Sequence, residues 1–120
     1  MENKHLVFVF GTLRKNERNH YLLKASNCLA EQAWTTGSLY GTNYGYPVLQ
    51  ENKRSRVYGE IYEVNSSQLA RLDELEGYRG EGESNYYDRI TKRVHTDEGV
   101  HEAYVYVMNN ANSDMELLKN

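Results

Sequence analysis

The sequence predicts an α+β domain in which strands predominate, of the kind that closes or half-closes into a barrel. Three observations lead there. Leu6-Val7-Phe8-Val9-Phe10 is an unbroken apolar run that stops at Gly11-Thr12. Residues 57–64 and 101–108 alternate their side chains with the period of two that belongs to strands. Between them, a capped segment at 65–77 carries leucines at helical spacing.

Each element has a local reason. An apolar run of this length reads as a strand buried on both faces, so Phe10-Gly11-Thr12 is where a core strand opens into a loop. Gly11 lacks a Cβ and lets a ligand approach the main chain, and consecutive N–H groups in such a turn can form an anion-holding nest. An ordinary turn at the end of a buried strand is the plainer alternative. Asn19 can cap a short helix over 20–25. Residues 28–40 are rich in β-formers, with Gly37 marking a bulge or bend. Segment 41–47 is dense in Gly, Asn and Tyr, holds the single proline, and reads as an irregular loop before a short extended piece at Val48-Leu49. Within 57–64, Val57, Gly59 and Ile61 share one face, and Tyr58, Glu60, Tyr62 and Val64 the other. Asn65 followed by Gln68 makes a variant of the capping box, and Gly77 suits the position just past a helix end. The helix therefore runs from Ser66 to Leu75 or Glu76. Stretches 86–95 and 101–108 flank Asp97-Glu98-Gly99 as an antiparallel hairpin. Its second arm sets Ala103, Val105 and Val107 against Tyr104, Tyr106 and Met108. The polar tail at 109–120 carries an apolar pair, Leu117-Leu118, and either frays or docks weakly. The count is five or six strands and two short helices.

At 120 residues the chain fits a single domain, 1–120, able to bury a core without staples. A net charge of −3 offers no general attraction for nucleic acid or an anionic membrane. Lys53-Arg54-Ser55-Arg56 is too short to change that and reads as a solvated loop. The lone Cys28 fits a reducing compartment, and neither a signal pattern nor a membrane-spanning apolar run is present. The expectation is a cytoplasmic protein with neither a nucleic-acid nor a membrane partner. Eleven tyrosines against two phenylalanines suit strands and half-polar cavity walls. His5, His20, His95 and His101 lack metal-ligand spacing, so no metal is expected. Cys28 lacks a nucleophile signature and reads as a small buried or half-buried side chain. The glycines of 77–82 have the wrong spacing for a phosphate loop and read as a mobile loop or lid.

The helix holds the most informative residue. At about 100° per residue, Leu69, Leu72 and Leu75 fall near 0°, 300° and 240°, which centres the apolar face near 300°. Glu74, near 140°, faces water, Asp73, near 40°, lies at the stripe's edge, and Glu76, near 340°, lies inside it. Partial burial and the negative end of the helix would both raise the Glu76 pKa towards a range useful for proton transfer. The alternative is that Gly77 ends the helix and Glu76 turns to solvent.

Val7-Phe8-Val9-Phe10-Gly11-Thr12-Leu13-Arg14, then Asn19-His20, Tyr46-Pro47, Gly59-Glu60-Ile61-Tyr62, Leu72-Asp73-Glu74-Leu75-Glu76-Gly77 and Tyr87-Asp88-Arg89, resembles in order and spacing the gamma-glutamylcyclotransferase-like family. The small gamma-glutamylamine cyclotransferase type is the branch most similar. The resemblance implies a mixed β-barrel of five to seven strands with small flanking helices and a cavity at the Gly-Thr-Leu loop. It also implies cyclisation of a γ-glutamyl amine or amide to 5-oxoproline with release of the amine, and no cofactor. It assigns catalysis to Glu76 and substrate binding to Phe10, Gly11, Thr12, Leu13, Tyr46, Pro47 and Tyr87. The family usually has Tyr where this chain has Phe10. That departure favours a second expectation, a non-catalytic module that holds a small metabolite in the same cavity; a tyrosine-rich interaction surface is a third.

Overall fold

The N-terminal apolar run becomes β1 (Lys4–Val9), fully buried from Val7 to Val9. It belongs to a computed structural model that describes residues 4–10, 26–41, 48–80, 87–108 and 116–118. The remaining elements are β2 (Asn27–Thr36), β3 (Ser38–Gly41), β4 (Val48–Gln50), β5 (Arg56–Asn65), α1 (Ser66–Glu76), β6 (Asp88–Thr96), β7 (Gly99–Val107) and β8 (Glu116–Leu118). Five strands close a barrel in the order β1-β5-β2-β6-β7. All neighbours run antiparallel except β1 and β7, which meet parallel at Val7 and Tyr104 and make the barrel mixed. A small second sheet pairs β3 with β4 and β8.

The eight strands among the described residues exceed the five or six expected, for two reasons. The β-rich stretch at 28–40 breaks at Gly37, whose N–H donates to the Ser55 carbonyl at 2.9 Å while the chain passes from the barrel to the small sheet. Within the tail, 116–118 pairs with 39–41 as a strand. The helix expected at 20–25 lies outside the described residues, as do positions 42–47 of the loop expected at 41–47, whose first residue, Gly41, instead ends β3. Of the basic run 53–56, Lys53 and Arg54 are solvated, but Arg56 opens β5 and sets its guanidinium 4.0 Å over the Trp34 ring.

Strand alternation sorts side chains onto two sides of the wall. Phe8, Ala33, Val57, Ile61, Val94, Ala103, Val105 and Val107 fill the barrel and cluster with Leu49 of β4. Val7, Val9, Tyr62, Val64 and Tyr106 face outward and are covered by Leu69 and Leu72 of α1. The faces expected for 57–64 and 101–108 are therefore those observed. The helix starts where the sequence places it. Asn65 Oδ1 accepts from the Gln68 N–H at 2.8 Å, and Gln68 Oε1 accepts from the Asn65 N–H at 2.9 Å.

Gly59 is required by the barrel interior. A Cβ there would overlap the Val9 carbonyl oxygen and the Phe8 ring, both fixed in buried backbone and core. Overpacking of this kind costs about 1–3 kcal/mol. Gly59→Ala is expected to lower the unfolding free energy by that amount, seen as a lower urea midpoint with an unchanged slope, and an unchanged midpoint would show that the wall yields locally.

Candidate active site

The last two turns of α1 set the site. Leu69, Leu72, Asp73 and Glu76 follow the i, i+3, i+4, i+7 spacing of one helical face, and each is buried or partly so. Leu75, expected in the apolar stripe, is instead 43% exposed. The buried face is thus centred closer to Glu76 than three leucines suggested, and the helix completes its last turn before turning away. Gly77 takes a left-handed conformation, φ 70°, available to glycine at little cost. The Tyr78 and Gly77 N–H groups donate back to the carbonyls of Asp73 at 2.8 Å and Glu74 at 3.3 Å. Past the turn, the Tyr87 N–H donates to the Glu76 carbonyl at 3.2 Å, tying the start of β6 to the helix end.

Asp73 is held from two strands. Arg89 of β6 donates from Nη1 to Asp73 Oδ2 at 2.6 Å, and the Tyr106 hydroxyl of β7 donates to Oδ1 at 2.7 Å. The guanidinium also lies 4.5 Å from the Tyr104 ring centre and 4.8 Å from that of Tyr78, at cation–π distance. Register aligns these groups. Arg89 pairs with Tyr106, Val7 with Tyr104, and Val9 with Glu60. Glu60, Val9, Tyr106 and Arg89 therefore form one row across the outer face, on strands spaced about 4.8 Å apart. The chain leaves β1 just past that row, at Phe10.

Burial pushes the Glu76 carboxyl up from its ordinary 4.5 to about 7. Such a group is divided between acid and base near neutral pH and can both accept and return a proton. Tyr106 is pushed the same way, by burial first and then by its bond to Asp73, so its hydroxyl stays protonated. On the neighbouring strand the Tyr62 hydroxyl donates to Glu60 Oε1 at 3.0 Å. Cys28 is exposed, not buried as expected, because it opens β2 where the pairing with β5 slips register. Its thiol is nonetheless raised, mainly by desolvation, and remains a weak nucleophile.

Of the residues assigned from the resemblance, Glu76 and Tyr87 come together on the outer face, where Tyr87 packs with Tyr106 and Leu72. Phe10 does not join them: its ring packs with the barrel cluster, 6.3 Å from that of Phe8. Gly11, Thr12, Leu13, Tyr46 and Pro47 lie outside the described residues. Asp73, Arg89 and Tyr106 were not picked out as site residues. The available signal was an acid at the edge of the helical stripe, three residues before Glu76. A separate cavity of about 260 Å³ opens at Glu31, Trp34, Tyr58, His95 and Asp97, away from Glu76. Its Trp34 ring already carries His95 stacked at 4.0 Å and the Arg56 guanidinium. Among the described residues, no group of three or more His, Cys, Asp or Glu is placed to hold a metal ion, and no helix is long and apolar enough to cross a membrane.

The family model for gamma-glutamyl cyclotransferase, AIG2-like proteins matches residues 7–119. The chain belongs to this family. Gamma-L-glutamyl-butirosin B gamma-glutamyl cyclotransferase of Niallia circulans is 45% identical over 105 residues, covering 86% of this chain and 66% of that relative. YkqA of Bacillus subtilis is 40% identical over 105 residues, covering 87% of this chain but 35% of YkqA. The chain thus spans less than two thirds of either relative's length. The YkqA crystal structure matches with a TM-score of 0.74 at 38% identity, over 89% of this chain and 36% of that one. An AIG2-like protein of Mus musculus shares the fold, with a TM-score of 0.70 at 24% identity over 92% of this chain and 81% of that one. The mixed barrel with a flanking helix is the fold these relatives have.

Glu76 also links the site to stability. Its folded pKa, about 7, lies above its ordinary 4.5, so the native state keeps a proton that the unfolded chain releases between those values. That contribution is complete below the lower value and is lost as pH rises through the upper one. Urea unfolding at a series of pH values is expected to show stability declining across this window in wild type, with the decline removed in Glu76→Gln. An equal decline in both proteins would place the titration elsewhere.

Proposed function

We propose that the protein cyclises the glutamyl part of a γ-glutamyl amine to 5-oxoproline and releases the free amine, with Glu76 as the general acid and base. The observation that carries this reading is a partly buried carboxyl, poised near neutrality, at the helix-end position where the family resemblance puts the catalytic glutamate. The reaction needs no protein nucleophile. The substrate's own α-amine attacks its γ-carbonyl carbon, a new C–N bond closes the five-membered ring, and the original amide C–N bond breaks. Glu76 takes a proton from the α-amino nitrogen and gives one to the departing nitrogen, so the carboxyl ends as it began. Folding the glutamyl chain so that amine and carbonyl meet supplies the proximity on which an intramolecular attack depends. In this reading the loop at 10–13 holds the glutamyl moiety through its backbone.

The leaving amine sets the choice of test substrates. The Niallia circulans relative is named for γ-L-glutamyl-butirosin B, which places that compound in the panel beside glutathione, γ-glutamyl amino acids and γ-glutamyl-ε-lysine. Mass spectrometry is expected to find 5-oxoproline released from at least one member, and Glu76→Gln to slow release by about 10²–10⁴-fold, the usual contribution of a positioned acid–base group. Undiminished release by Glu76→Gln would remove it from the mechanism. No release from any member by folded protein would leave the metabolite-binding module as the reading.

A further inference from the structure

The cavity apart from Glu76 is built around an irregularity in β2. The register with β5 advances from Ala30 opposite Ile61 to Ala33 opposite Gly59, so Glu31 and Gln32 together stand opposite Glu60 alone. A bulge of this kind bends its strand and re-aims its side chains. Here Glu31 and Gln32 line a cavity of about 260 Å³, together with Asp97 in the turn between β6 and β7.

Beside the bulge, strand register lays a row of aromatic and apolar side chains across four strands. Tyr58 of β5 stands opposite Trp34 of β2, Trp34 opposite His95 of β6, and His95 opposite Val100 of β7. Side chains so paired are about 4.5–5.5 Å apart at Cβ. Both ends of the row are open, with Tyr58 46% and Val100 55% exposed. Its middle is fixed. The Trp34 ring stacks on His95 at 4.0 Å and 10°, and the Arg56 guanidinium lies 4.0 Å over it. With β5 and β6 on either side of β2, these two cover the indole from both faces and hold it as a rigid wall. Tyr58 is the lining ring with area still to offer.

Charge decides what the cavity can take. Its lining carries the carboxylates of Glu31 and Asp97 and neither lysine nor arginine. Arg56 packs on the Trp34 ring but does not line the cavity. An anion would meet two like charges there, and a neutral apolar ligand would desolvate the carboxylates without pairing them. An organic cation meets the carboxylate oxygens with its N–H groups and the Tyr58 face with its charge. A volume of about 260 Å³, below the range of about 300–1,000 Å³ for drug-sized ligands, limits that cation to a small one.

We propose that this cavity is a binding site for a small organic ammonium ion, held by Glu31 and Asp97 and by the Tyr58 ring. The amine released in the proposed reaction belongs to the same chemical class. The inference does not depend on that reaction, since it stands on the bulge, the row and the lining charges.

The test uses the single tryptophan of the chain, Trp34, which lines the cavity and reports on it through its fluorescence and its indole ¹H–¹⁵N signal. The probe is 2-phenylethylammonium, with 2-phenylethanol and phenylacetate as neutral and anionic controls of similar size. Titration of the full chain with the ammonium is expected to carry at least one signal to saturation, and neither control to do so at the same concentrations. Glu31→Gln and Asp97→Asn are each expected to weaken binding by up to about fivefold, the range of an exposed ion pair, and the double variant by more than either. Tyr58→Ala is expected to weaken it about two- to fivefold, and Tyr58→Phe, which keeps the ring, to leave it near wild type. Glu76→Gln is expected to bind as wild type does. Equal saturation by the alcohol, undiminished binding by the double carboxyl variant, or loss of binding in Glu76→Gln would each overturn the proposal. So would two signals that never saturate with the ammonium. If the double variant does not fold, the single variants and the alcohol decide.

Discussion

Asp73 is gripped from β6 and β7 at once, and the position of the last turn of α1 follows from that grip. Leu69 and Leu72 fasten the first part of the helix to the barrel wall, but Leu75 faces solvent. No third leucine anchors the end. A hydrogen bond to a charged group contributes about 1.5–3 kcal/mol, comparable to burying a leucine side chain at about 1.5–3 kcal/mol. The polar clamp takes the place of the missing apolar contact. It also fixes rotation about the helix axis more narrowly than a leucine would, because two directional bonds must be met together. With that rotation set, Glu76 turns toward the wall.

Most of the fold was legible in the sequence because its signals are local. The unbroken run at Leu6 to Phe10, the alternation in β5 and β7, the Asn65–Gln68 cap and Gly77 each specify their element without help from elsewhere. The small sheet was not legible. Its strands are three or four residues long, too short for a periodic signal, and β8 exists only through its pairing with β3. The helical wheel found Glu76 but misplaced its face, because it weighted Leu75 as apolar and Asp73 as polar. Hydrophobicity ranks those residues correctly in water and wrongly here, where a guanidinium on another strand makes the acid the better-buried of the two. Arg89 is 16 positions away in sequence, and only the β6–β7 register brings it opposite Tyr106.

The same alternation assigns the two sides of the barrel wall to different work. Inward positions are almost wholly apolar and carry the core, down to the glycine at 59 that leaves room for the Phe8 ring. Outward positions under α1 combine apolar contact with hydroxyls and carboxyls: Tyr62, Tyr106, Glu60, and Asp73 and Glu76 from the helix. Phe10 belongs with the inward set, packed near Phe8. The Phe10 ring therefore lies on the barrel side of the wall, while the raised Glu76 carboxyl belongs to the helix that covers the other side.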